Sequence, residues 1–110
     1  MSNTSYENAI FTFADIDQNI EGISKVIIWK NKIIILLEPH LFGERNVKCY
    51  DFFGKLIWTI QNPIKVHPQY ETYFVGLTIR DEKLLTYSED GVEYDVSIET
   101  GSFNKHMLVK

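Results

Sequence analysis

Two stretches of the chain carry one pattern about fifty residues apart, and that repeat narrows the architectures open to it. In the first, residues 26–29 and 33–37 flank Lys30-Asn31-Lys32, and residues 47–51 lead through Phe52-Phe53-Gly54 to residues 55–58. In the second, residues 74–79 and 84–87 flank Arg80-Asp81-Glu82-Lys83. Ser88-Glu89-Asp90-Gly91 leads into residues 92–98, and Glu99-Thr100-Gly101 into a last apolar run. Each copy reads as strand, tight turn, strand, loop, strand, glycine turn, strand. The expected fold is all-β, with two consecutive antiparallel four-stranded meanders packed as a sandwich or an open half-barrel. Meander one covers about 23–60, meander two about 70–109, and residues 61–69 link them.

Composition agrees with strands. Seven Phe, six Tyr and two Trp favour a pleated, half-buried surface, while Ala9 and Ala14 are the only alanines. At 110 residues the chain is one domain. Pro63 and Pro68 keep the linker out of either sheet, because proline cannot donate to a ladder. Asn31 suits the left-handed backbone of a tight hairpin. The run Ile33-Ile34-Ile35-Leu36-Leu37 is apolar on both faces, so both faces need cover. One sheet covers one face, and the N-terminal segment, another subunit or a partner covers the other. Pro39 stops that strand, and residues 40–45 read as a loop. Leu56, Trp58 and Ile60 fall on one face of the fourth strand, and Glu93, Asp95 and Ser97 on one face of the seventh. Residues 103–109 form a last strand at a sheet edge, where Lys105 and Lys110 would discourage further pairing. Residues 9–21 fit a helix, with Ala9, Phe13, Ile16 and Ile20 on one face. They also fit a short strand at Ile10-Phe11-Thr12-Phe13.

No apolar run reaches the roughly 20 residues of a membrane span, and the N-terminus lacks the basic and apolar regions of a signal peptide. The single cysteine, Cys49, leaves no internal disulfide and suits a reducing compartment. The expected location is the cytoplasm. Net charge is −4, unevenly spread. Residues 1–21 carry −4, residues 22–68 carry +4, residues 69–101 carry −6 and residues 102–110 carry +2. An acidic balance argues against nucleic acid and favours a basic protein partner.

Catalytic patterns are sparse. His40, His67 and His106 lie far apart with no ligand spacing, and Cys49 reads as a buried structural thiol. No phosphate-binding glycine loop and no Gly-x-Ser-x-Gly elbow occurs. Asp15-Ile16-Asp17 and Asp81-Glu82 lack the remaining ligands of a calcium loop. No metal, cofactor or catalytic residue is expected, and the chain reads as a non-enzyme. The candidate partner-binding residues are acids interleaved with tyrosines: Tyr70, Tyr73, Asp81, Glu82, Tyr87, Glu89, Asp90, Glu93 and Asp95. Tyrosine supplies contact area at low entropic cost, and carboxylates meet Lys and Arg.

Residues 85–101, with the turn Ser88-Glu89-Asp90-Gly91 and the later Thr100-Gly101, resemble a blade of a quinoprotein-like β-propeller. Gly54-Lys55-Leu56-Ile57-Trp58 resembles the Gly-Lys-x-x-Trp end of the same motif. Two blades cannot close a ring that takes about four or more, so no cofactor site carries over. In size, composition and texture the chain is also similar to bacterial immunity proteins of contact-dependent, polymorphic toxin systems. That resemblance implies a stoichiometric, non-covalent complex with a cognate toxin, expected to be a basic nuclease-type domain. The alternative is a self-assembling structural module, for instance a homodimer.

Overall fold

The computed structural model describes residues 12–16, 18 and 20–109. Among these residues eight strands follow in chain order: β1 (Ile23–Trp29), β2 (Lys32–Leu37), β3 (Val47–Asp51), β4 (Leu56–Thr59), β5 (Phe74–Arg80), β6 (Lys83–Ser88), β7 (Val92–Val96) and β8 (Phe103–Leu108). They form two antiparallel four-stranded sheets, β1-β2-β3-β4 and β5-β6-β7-β8, with no closed barrel. The expected pair of meanders is therefore the fold.

The repeat is geometric as well as textual. A shift of 51 positions carries β1 onto β5 (Ile23 to Phe74) and β2 onto β6 (Lys32 to Lys83). The bulges coincide too. The register steps over Ser24 in β1 and over Val75 in β5, its counterpart. Both hairpins close with two residues, each with positive φ: Lys30 (53°) and Asn31 (61°), then Asp81 (54°) and Glu82 (61°). Such turns match the twist of the strands they join. The copies diverge after the second strand. Residues 38–46 include a helical turn, Pro39–Phe42, within the stretch expected to be loop, whereas residues 89–91 make the matching connection in three.

Alternation divides β2 between two cores. Ile34 and Leu36 join Val47, Cys49, Trp58 and Ile60 against Phe74, Leu77, Leu84, Tyr94 and Val96 of the second sheet. Ile33, Ile35 and Leu37 face the other way, onto Ile16, Phe13, Ile20 and Phe42. Residues 12–16 and 18 are helical, and they bring Phe13 and Ile16 to that face. Ala9, the fourth residue of the expected helical face, lies outside the described residues. The second apolar face of β2 is thus covered from within the chain.

The two sheets stack the same way round. Leu84 faces the first sheet, while its counterpart Ile33 faces the N-terminal helical segment. The order is helix, first sheet, second sheet. The outer face of the second sheet therefore corresponds to the buried inner face of the first.

Two contacts lock the layers together. Trp58 Nε1 donates to the Ile98 carbonyl at 2.7 Å, and its ring lies against Gly101. Asn46, fully buried, donates to the carbonyls of Leu37 and Phe74, both at 2.8 Å, and accepts from the Phe74 amide at 2.9 Å. One side chain so satisfies three backbone groups that would otherwise be orphaned between the sheets.

Two expectations change. The register shift between β3 and β4 passes over Ile57, so Leu56 lies opposite Tyr50 and is exposed, away from Trp58. β7 ends at Val96, and Ser97 accepts the amides of Glu99 and Thr100 in a turn instead of extending the acidic face. Lys110 lies outside the described residues. Residues 61–73 join neither sheet, as the prolines require.

Candidate functional site

The nine candidate residues fall into two places and a hairpin tip. Tyr70, Tyr73, Glu89 and Asp90 line one groove, together with His67 and Glu71. Asp81, Glu93 and Asp95 line a shallow concavity on the outer face of the second sheet. Tyr87 belongs to that same face, two pairs along from Leu85 on β6. Glu82 sits at the hairpin tip, beside Trp29 and Lys30 of the first sheet.

The outer face is less acidic than its sequence. Arg80 Nη2 meets Glu93 Oε2 at 2.7 Å, and Lys83 Nζ lies 4.0 Å from Asp95 Oδ2. Asn104 Nδ2 donates to Asp95 Oδ1 at 3.2 Å. Lys105 lines the concavity as well, so Arg80, Lys83 and Lys105 balance Asp81, Glu93 and Asp95. The neighbouring Glu93, then Tyr87, hold the Arg80 pKa above its ordinary value. Strand order brought these bases in: β6 and β8 flank β7 and carry Lys83 and Lys105, and Arg80 of β5 reaches across β6 to Glu93.

Among the described residues the groove carries a net negative charge. Its carboxylates are Glu71, Glu89 and Asp90, and among the described residues no Lys or Arg lines it. The turn Glu89-Asp90-Gly91 sets its floor, with Gly91 at φ 89°. The Glu89 amide donates to the Tyr73 carbonyl at 2.8 Å, and Tyr73 Oη donates to Glu89 Oε2 at 3.3 Å. The adjacent Glu89 charge raises the Tyr73 pKa. Tyr70 stands 66% exposed. An exposed ring beside carboxylates has the chemistry to take Arg or Lys side chains.

Asp90 has a different role from Glu89. Its Oδ1 accepts from Thr72 Oγ1 and Ser88 Oγ, each at 2.7 Å, and its Oδ2 accepts from the Val66 amide at 3.3 Å. Partial desolvation pushes its pKa up, but these hydrogen bonds outweigh it and hold the carboxyl below the usual range. Glu44 reaches the same region from the first sheet. It binds Lys65 Nζ at 2.8 Å and accepts the Thr72 amide at 3.1 Å. The Lys65 bond, helped by that amide, lowers the Glu44 pKa.

His67 and Glu71 were not among the candidate residues. Glu71 sits in sequence between two chosen tyrosines, a usable signal. His67 gave none, since only the folding back of the linker brings it to the groove. Elsewhere, burial pushes the Cys49 thiol up to about 12, so it stays protonated at neutral pH. Among the described residues no group of three or more His, Cys, Asp or Glu side chains is placed to hold a metal ion. No helix among them is long and apolar enough to cross a membrane.

Fold and groove define a two-sheet, all-β protein with an acidic, tyrosine-lined cleft beside the segment joining its sheets. The chain belongs to the family described as a domain of unknown function, DUF7957, which it matches over residues 1–108. No curated protein and no solved structure matches it.

Proposed function

We propose that this protein is a non-catalytic binding protein that takes a basic protein partner in the groove of Tyr70, Glu71, Tyr73 and Glu89. The partner we favour is a bacterial toxin, with the protein acting as its immunity factor in the cytoplasm. The observation that carries the binding reading is the exposed ring of Tyr70 and the half-buried ring of Tyr73 set among carboxylates, with no lysine or arginine among the described residues lining the groove. Such a surface attracts a cationic cleft over long range and anchors it at short range. The immunity assignment adds the acidic balance and small size of the chain.

The reading predicts a stoichiometric complex that fails when the groove is reversed. Tagged protein and its Tyr70→Ala/Glu71→Lys/Glu89→Lys variant would be used to capture partners from native lysate, with quantitative mass spectrometry. The expected result is one basic protein held by the wild type and lost by the variant. That protein should be toxic when expressed alone and harmless when co-expressed with the wild type. Equal capture by both baits would overturn the groove. A captured protein without toxicity would overturn the immunity role.

A further inference from the structure

Residues 61–73 cross from one sheet to the other over the edge of the groove. Between residues 61 and 71 only Pro63 is buried, and Ile64 and Val66 each keep 39% of their surface exposed. Apolar burial therefore contributes little to holding this segment. Its attachments are polar. The Ile64 amide donates to Tyr94 Oη at 2.9 Å, and the Val66 amide to Asp90 Oδ2 at 3.3 Å. Lys65 pairs with Glu44. At the far end buried Thr72 is gripped twice, its amide by Glu44 and its hydroxyl by Asp90. Glu44 and Asp90 come from the connections that follow β2 and β6, the matching loops of the two repeats.

We infer that residues 64–71 form a strap that opens as a unit while both sheets stay folded, with Asp90 as its latch. Few apolar contacts and solvent-exposed hydrogen bonds mark a segment of low local stability. The strap carries His67, Tyr70 and Glu71, whereas Tyr73, Glu89 and Asp90 belong to the fixed body. Opening it dismantles one wall of the groove. Asp90 is then a positioning residue: its oxygens hold the strap and not a partner. The consequence for partner capture rests on the function proposed above, but the opening itself can be measured without any partner.

The test is limited trypsin digestion of the full chain, following cleavage after Lys65 against cleavage at other lysines and arginines. Asp90→Asn keeps the shape but removes the charge and one of the two accepting oxygens, so whichever way the amide turns the Val66 amide loses its charge-assisted partner. Cleavage of a locally opened segment tracks its open population. The expected result is a rise of about tenfold at Lys65, the scale of one lost charge-assisted hydrogen bond, with other sites unchanged. An unchanged Lys65 rate would overturn the latch. Equal acceleration at every site would mean global opening and overturn the strap as a unit. Should Asp90→Asn not fold, hydrogen exchange on the wild type decides. The Ile64 and Val66 amides should exchange through a smaller opening than those of β2 and β6, and equal protection would overturn the inference.

Discussion

Gly101 shows how one atom is excluded by the packing of two repeats. Its φ is +77°, and a Cβ there would stand 2.5 Å from the Trp58 ring. The ring cannot withdraw freely, because Nε1 is tied to the Ile98 carbonyl. Gly101→Ala combines left-handed strain with overpacking and should cost about 3 kcal/mol. Urea unfolding measures it, and a loss under about 1 kcal/mol would show that the indole moves aside at little cost. Asn46 makes the complementary point about polar atoms. Its backbone partners lie 9 positions before it and 28 after it, so nothing local marks it as the seam between the sheets.

At the scale of the element, the hairpins hold spare stability. Type I′ turns favour Asn-Gly, yet the β5–β6 turn uses Asp81-Glu82, both with positive φ. Neither side chain makes a contact there that the fold needs, since both are exposed at the tip. Asp81→Asn/Glu82→Gly should relieve about 1 kcal/mol of strain and raise the melting temperature by about 4–6 °C. Differential scanning calorimetry checks this, and no rise would mean that the native turn carries no such strain. The N-terminal segment illustrates the opposite dependence. Residues 9–21 suited helix and strand alike; what favours helix is the waiting face of Ile33, Ile35 and Leu37, which takes Phe13, Ile16 and Ile20 at helical spacing.

For the whole molecule, the carboxylates that fasten loop to sheet should set its response to acid. Asp90, Glu44 and Asp51 all have pKa values below their ordinary ones. Asp51 owes this first to the Lys55 amide, which with the Phe53 amide outweighs the effect of burial. A folded-state pKa below the unfolded one gives stability that is complete above the unfolded value, near about 4, and is lost as pH falls through the folded value. The urea midpoint should therefore stay level from about pH 7 to 5 and fall below about pH 4. In Asp90→Asn that fall should be shallower. An identical acid profile in the variant would show that Asp90 is not among the groups responsible.

The strands, their order and the two-fold repetition were legible in the linear chain. Alternation, paired turns and prolines act locally, and local signals survive in a linear string. Ile33 to Leu37 even announced that both faces of β2 are covered. The sequence could not decide which covering was used, nor that the sheets stack the same way round, because both depend on contacts between distant segments. The candidate site shows the same division. Tyr70, Tyr73, Glu89 and Asp90 were legible as acids among tyrosines, and the fold brings them together. Glu93 and Asp95 looked like the same surface, but cross-strand pairing set Arg80, Lys83 and Lys105 beside them and cancelled their charge. Charge along a chain is additive, whereas charge on a surface depends on which strands become neighbours, and that is set by folding.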